Sequence, residues 1–262
     1  MAERIPFDHV HVTRHGSVAV LALSQPEVMN AVSPAMIGGA MAALDFIEKD
    51  TQFRALVLTG EGKAFCAGAN LAEVELGEGG ASRLLERVYH PFQRRLRDLR
   101  MPLVMAVNGP AVGIGMSFAL SGDLTIAARS AYFLQGFSRI GLVPDGGSSW
   151  LLPRLVGLAR ARELALLAEN LPAQKALVWG LINYVAEDEN LMAEALALAQ
   201  RLAKGPASLR LTRKLLWDSP GNAYEDQLAL EQAAQQKAAQ SKDFQEGVAA
   251  FRNKRPPKFT GE

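Results

Sequence analysis

The chain has 262 residues, 49% of them hydrophobic and 21% charged, with a formal net charge of +1. That balance fits a globular protein with a substantial core and weighs against a nucleic-acid binder that works by neutralising many phosphates. The single cysteine, Cys66, leaves no internal disulfide, which fits a reducing compartment.

The opening residues, MAERIPFDHVHV, lack the basic-then-apolar layout of a secretory signal, and no apolar run is long enough to span a bilayer. A cytoplasmic protein that is not membrane-bound is expected. His9 to Ser24 alternates and then becomes a β-branched apolar run, which predicts two strands about a turn at His15-Gly16-Ser17. A helix is expected from a Ser33 cap, with Pro34 in its first position, through Leu44 to Ile47. Arg54 to Gly60 and Pro102 to Gly109 are short and nearly all apolar, the type of strand that a parallel sheet buries on both faces. Between them, Arg83 to Leu99 predicts an amphipathic helix interrupted near Pro91.

Gly113 to Gly122 reads as a short helix too apolar to lie on a surface. Short strands follow at Asp123–Ala128 and Ala131–Gly136. After about Ser148 the chain becomes helical and rich in Ala, Leu, Arg and Gln. It is broken at Pro172, Gly180, Gly205-Pro206 and Pro220-Gly221, with one strand at Leu181–Glu187. The expectation is an α/β core, residues 1–200, followed by a helical C-terminal region, residues 201–262. The recurring strand–turn–helix rhythm suggests a coiled stack of similar units.

Two turns stand out. KAFCAGANL (Lys63 to Leu71) and VNGPAVGIGMSFAL (Val107 to Leu120) each follow an expected buried strand with small residues. Small residues let a ligand approach the backbone, and N–H groups at a helix start favour negative charge. Two such turns side by side could aim two N–H groups at one oxygen; the bland alternative is that the glycines only relieve close packing. GIGMSF lacks the third glycine of a dinucleotide fingerprint, there is no phosphate-binding G-x-x-x-x-G-K-[ST] loop, and Ser117 is not in a nucleophile elbow. His9, His11 and His15 read as surface histidines rather than a metal site, because no cysteine or carboxylate stands at ligand spacing. His90 precedes Pro91 without an evident partner, and Cys66 reads as packing.

The stretch FSRIGLVPDGGSSWLLPRLVG places Asp145 among apolar residues. Pro-Asp-Gly is a common turn string, so a turn residue and a functional acid both remain open on these residues alone.

The ordered set LSQPEVMNAV, ALVLTGEGKAFCAGANL, AVNGPAVGIGMSFALSGDLTIAA, FSRIGLVPDGGSSWLLPRLVG and EGVAAFRNKRPPKFTG resembles the enoyl-CoA hydratase/isomerase (crotonase) superfamily from about residue 9 to the end. Within it, the likeness is greatest to the 1,2-epoxyphenylacetyl-CoA isomerase branch of phenylacetate catabolism. The resemblance implies a spiral of β-β-α units with a helical C-terminal region that forms trimers, often paired into hexamers, and an acyl-CoA thioester as substrate. No separate cofactor is implied, since coenzyme A is part of the substrate.

Carried over by motif, the backbone N–H groups of Ala69 and Ile114 would hold the thioester oxygen. Coenzyme A would lie near Pro26 to Val28, Ala67 and Leu71. Lys254 would reach a phosphate of coenzyme A bound by a neighbouring subunit. The two glutamates that handle water in hydratases would fall at Ser117 and Phe137, so hydratase chemistry is placed in doubt. Asp145 matches the acid of the isomerase and dehalogenase branches. The tryptophan that dehalogenases carry just upstream is missing, which ranks halide displacement low.

The expected reaction is therefore a double-bond shift in an enoyl-CoA, or rearrangement of a ring-epoxide CoA thioester. Enoyl-CoA hydration and non-catalytic acyl-CoA binding are the alternatives. RNA binding, known for one branch of the superfamily, gains no support from the near-neutral charge. Residues 72 to 92, with Gly77, Gly79 and Gly80, are expected to form a flexible cover for the acyl group.

Overall fold

The computed structural model describes residues 3–72 and 79–262. Three strands in antiparallel succession open the chain: β1 (Arg4–Phe7), β2 (Val10–His15) and β3 (Val18–Leu23). β1 is not among the expected strands. Pro6 cannot donate to a ladder, and the fold places it where that is tolerated, on the sheet edge. Helix α1 (Pro34–Lys49) starts as its sequence predicts, with the Ser33 hydroxyl accepting the Met36 N–H, a cap worth about 1 kcal/mol.

The remaining elements of the body are β4 (Ala55–Gly60), α2 (Gly80–Leu84), α3 (His90–Arg97), β5 (Leu103–Val107), β6 (Ala111–Val112), α4 (Ile114–Ala119), β7 (Leu124–Ala128) and β8 (Tyr132–Leu134). α5 (Ser148–Val156), α6 (Leu158–Leu167), β9 (Leu171–Pro172), α7 (Ala173–Val178), β10 (Tyr184–Ala186) and α8 (Leu191–Ala203) follow. The C-terminal helices are α9 (Ser208–Asp218), α10 (Tyr224–Ala239) and α11 (Lys242–Arg252).

The main sheet runs β1-β2-β3-β4-β5-β7-β10, parallel from β3 onward. Every residue of β3, β4 and β5 is buried, which accounts for their nearly all-apolar sequences. Each fully buried Leu or Val here contributes roughly 1.5–3 kcal/mol relative to exposure. A smaller sheet, β6-β8-β9, forms a second layer, and two isolated bridges, Val32 with Ala69 and Cys66 with Ala111, extend it. The architecture is the expected α/β spiral with a helical C-terminal region. α8 packs on β3, β4, β5 and β7 and ends at Ala203, so the expected boundary at residue 200 falls inside it.

Three local expectations are corrected. The chain does not break at Pro91: a π-helical turn (Leu85–Tyr89) links α2 to α3, so the missing proline N–H is absorbed by a wider turn. His11 is not a surface residue. It sits 8% exposed on β2, its Nε2 3.8 Å from Glu61, and burial and the Arg4 charge hold its pKa below the usual value against the opposing pull of Glu61. Gly79 caps α2 in a left-handed conformation and Gly80 begins the helix, so this end of the expected loop is helical; Gly77 lies outside the described residues. Among the described residues no helix is long and apolar enough to cross a membrane.

Candidate active site

The two glycine-bearing turns lie side by side. The Cys66 N–H donates to the Pro110 carbonyl at 3.1 Å, and the Val112 N–H donates to the Cys66 carbonyl at 2.9 Å. A side chain at Gly115 would put its Cβ 2.4 Å from the Cys66 carbonyl oxygen and 2.7 Å from its Sγ, so only glycine allows this approach. Cys66 itself is fully buried, and burial pushes its thiol up to about 12, which leaves it a packing residue.

Ala69 and Ile114 stand at the open ends of these turns. In the bridge to Val32, the neighbours of Ala69 make the bonds: Val32 donates to Gly68 at 2.7 Å and Asn70 donates to Val32 at 2.9 Å. Ile114 is the first residue of α4, where no intrahelical acceptor exists. Among the described residues neither N–H meets an acceptor. α4 is held in place from behind, where the Phe118 ring meets Phe92 and Tyr89 edge-on, with centroids 5.0 and 6.5 Å away.

Asp145 sits in the turn before α5, which packs against the same helix. Gly146 packs so closely on α4 that an added Cβ would lie 2.4 Å from the Ile114 Cδ1 and 2.9 Å from the Ser117 Cβ. The Asp145 backbone carbonyl accepts the Ser117 hydroxyl at 2.9 Å, the Ser148 hydroxyl at 2.9 Å and the Ser148 N–H at 3.0 Å. Its carboxyl Oδ1 is buried without a hydrogen-bond partner among the described residues. Burial alone raises this acid to about 6. Phe137, 6% exposed, stands beside Gly113 and keeps that side of α4 apolar.

The other candidate residues divide. Pro26 to Val28 form a short 3₁₀ turn, and the adjoining Met29 carbonyl accepts the Ala67 N–H at 3.0 Å, so these residues are brought together. Leu71 is 57% exposed at the edge of the described segment. Lys254 is exposed after α11, and among the described residues its ammonium has no ion pair.

Several site residues are invisible to sequence reasoning. Asn30, wholly buried in a left-handed conformation, ties its turn to residues 61–64: its Nδ2 donates to the Glu61 carbonyl at 2.9 Å and to the Ala64 carbonyl at 2.8 Å. Gln93 donates to the Gly146 carbonyl at 2.7 Å and accepts the Ser121 hydroxyl at 2.6 Å. No local sequence signal marks Gln93 or Ser148.

The enoyl-CoA hydratase/isomerase family model matches residues 13–262. The 1,2-epoxyphenylacetyl-CoA isomerase of Escherichia coli is 43% identical over 250 residues, covering 94% of this chain and 95% of that protein. A probable enoyl-CoA hydratase of Rhodobacter capsulatus is 44% identical, covering 93% of this chain and 95% of that one. The crystal structure of an enoyl-CoA hydratase from Bacillus anthracis superposes with a TM-score of 0.92 at 29% identity, over 97% of this chain and all of the other.

Proposed function

The chain belongs to the enoyl-CoA hydratase/isomerase family, and we propose that within it this protein is an acyl-CoA isomerase that uses Asp145 to carry the proton. The observation that carries the reading is the placement of one half-buried carboxyl, its Oδ1 buried and unpartnered among the described residues, against the helix whose first N–H is open. The likeness to an epoxyphenylacetyl-CoA isomerase supports the same choice.

A proton α or γ to a thioester carbonyl is hard to remove because the electrons it leaves build an enolate. In this reading the N–H groups of Ala69 and Ile114 both donate to the thioester oxygen as it gains charge. Each fixed donor of this type stabilises the transition state by about 3 kcal/mol. The ionised Asp145 takes the proton from one carbon and, now neutral, returns it to another, so the double bond moves and nothing is added or lost. An acid poised at about 6 is mostly ionised near neutrality yet remains a competent donor once protonated. The two flanking positions that could supply a second acid hold a fully buried Ser117, directed onto a backbone carbonyl, and the buried ring of Phe137. Coenzyme A arrives with the substrate along Pro26, Val28, Ala67 and Leu71, and no separate cofactor takes part.

The test is to incubate purified protein with 3-enoyl-, 2-enoyl- and ring-epoxide CoA thioesters, to separate the products from the substrate by liquid chromatography against isomer standards, and to identify them by mass spectrometry. Isomers without a mass change support the reading. A gain of one water on 2-enoyl-CoA as the main reaction makes the protein a hydratase, and binding without turnover makes it an acyl-CoA carrier.

The same reading gives the C-terminal helices to self-association. α10 has no buried residue, while Leu216, Tyr224, Phe244 and Phe251 are exposed. Sedimentation at micromolar concentration should show a trimer or a multiple of it, and a clean monomer would refute that assignment.

A further inference from the structure

The turn that carries Asp145 is held from outside itself to an unusual degree. Three donors converge on the Asp145 carbonyl oxygen, and two of them, the Ser148 hydroxyl and N–H, come from the start of α5. The third, the Ser117 hydroxyl, comes from α4 and crosses 28 residues of sequence. The next carbonyl, that of Gly146, accepts from Gln93 on α3. Gln93 is itself seated by the Ser121 hydroxyl, which lies one helical turn beyond Ser117 and also reaches the Ser117 carbonyl at 3.2 Å. Ser117 and Ser148 are both fully buried. The Ser148 hydroxyl has a second acceptor, the Gln135 Oε1, at 3.4 Å.

The chemistry of this arrangement is specific. A hydroxyl that donates to a carboxylate stabilises its charged form and lowers its pKa. Here the Ser117 and Ser148 hydroxyls both donate to the backbone carbonyl of Asp145, and among the described residues none donates to its buried Oδ1. The turn is gripped while the carboxyl oxygen Oδ1 stays buried without a donor. α4 presents the Ile114 N–H at its start and the Ser117 hydroxyl one turn later, so a single rigid element sets the separation between the open donor and the acid.

We propose that Ser117 is a positioning residue for Asp145, acting with Ser148 and Gln93 by fixing the two carbonyls of the Asp145–Gly146 turn so that the carboxyl faces the substrate without a protein donor. The inference rests on Asp145 being the proton carrier. The elements packed on this turn carry His90, Arg94, Arg95 and Arg97 on α3, Arg139 before the turn, and Arg154 on α5. Arg95 is paired with Asp45 and Glu48, Arg97 with Asp98, Arg139 donates to the Ala168 carbonyl, and Arg154 lies over Trp150. None of these charges contributes to the raised pKa of Asp145, for which burial is the sole cause. Loosening the turn is therefore expected to lower that pKa by admitting water.

The experiment compares wild type, Ser117→Ala, Gln93→Leu and Asp145→Asn in 3-enoyl-CoA isomerisation across pH 4.5 to 8, each variant first checked by thermal melt. Gln93 is half-buried, so Gln93→Leu keeps volume and should fold even where Ser117→Ala does not. The expected result for Ser117→Ala and Gln93→Leu is a kcat lower by about tenfold to 10²-fold with KM changed less than about twofold, as small misplacements of a reacting group produce. The acid limb of the pH profile should also move down toward the ordinary carboxylate range as water reaches the loosened carboxyl. Unchanged kcat in folded variants, or a lower kcat with an unmoved acid limb, overturns the positioning role. Failure of the underlying reading looks different: Asp145→Asn would then isomerise at the wild-type rate.

Discussion

The two halves of the candidate site are built in different ways. The Ala69–Ile114 half is backbone: its donors are main-chain N–H groups, and its geometry comes from the Cys66–Ala111 bridge and the close approach at Gly115. The Asp145 half is side chain: the acid, its tuned pKa and the grip of Ser117, Ser148 and Gln93 all depend on particular functional groups. The first half should tolerate changes of side chain and fail when the backbone is altered, while the second should behave in the opposite way. Nature of the group, rather than nearness to substrate, then decides what a mutation does.

The largest effect expected in the backbone half comes from Ile114→Pro. Proline is accepted at the first position of a helix, so α4 should form, but the N–H is gone. Turnover should drop by about 10²–10³-fold, the loss seen when one such donor is removed. Gly115→Ala should come next, because its new Cβ would sit 2.4 Å from the Cys66 carbonyl and force the two turns apart. Roughly tenfold to 10²-fold in kcat, with a lower melting temperature, is expected. A Gly115→Ala enzyme with wild-type kcat would show that the spacing of the turns does not matter.

In the side-chain half, kcat/KM should fall about tenfold per pH unit below the Asp145 pKa of about 6, because only the ionised acid accepts a proton. A limb near pH 4 would mean the carboxyl is not desolvated in solution. The linked stability effect has a definite sign. The folded pKa lies above the unfolded value of about 3.8, so the relative stabilisation is present below pH 4 and lost as pH rises through about 6. Asp145→Asn should therefore melt higher than wild type at pH 8, with the difference fading below pH 4; it is worth on the order of 1 kcal/mol once solvent screening of this partly exposed group is allowed for. The smallest effect closes the comparison: Ile114→Ala keeps the N–H and should hold kcat within about threefold of wild type.

The same contrast explains what was legible in the sequence. The backbone half announces itself locally, since small residues after an all-apolar strand mark KAFCAGANL and VNGPAVGIGM wherever they occur. The buried strands β3, β4 and β5 are equally local signals, and so is the Ser33 cap. The short strands β6 and β9 carry no periodicity to detect, and β1 is masked by its proline. Asp145 could be suspected, but its support could not, because Ser117 and Gln93 stand 28 and 53 residues away from the carbonyls they bind. The burial of His11 is hidden from the sequence for a similar reason: a neighbour such as Glu61, 3.8 Å from its Nε2, comes from a distant part of the chain.

The central claim is that Asp145 carries the proton of an isomerisation. Its most direct test is Asp145→Asn, with isomerisation and hydration measured separately on the same enoyl-CoA and acyl-CoA binding measured alongside. Asn preserves the size of the side chain and leaves the Ser117, Ser148 and Gln93 bonds to the turn carbonyls in place. The expected outcome is near-normal binding with isomerisation lower by about 10²-fold or more. An Asp145→Asn enzyme that isomerises at the wild-type rate would contradict the account.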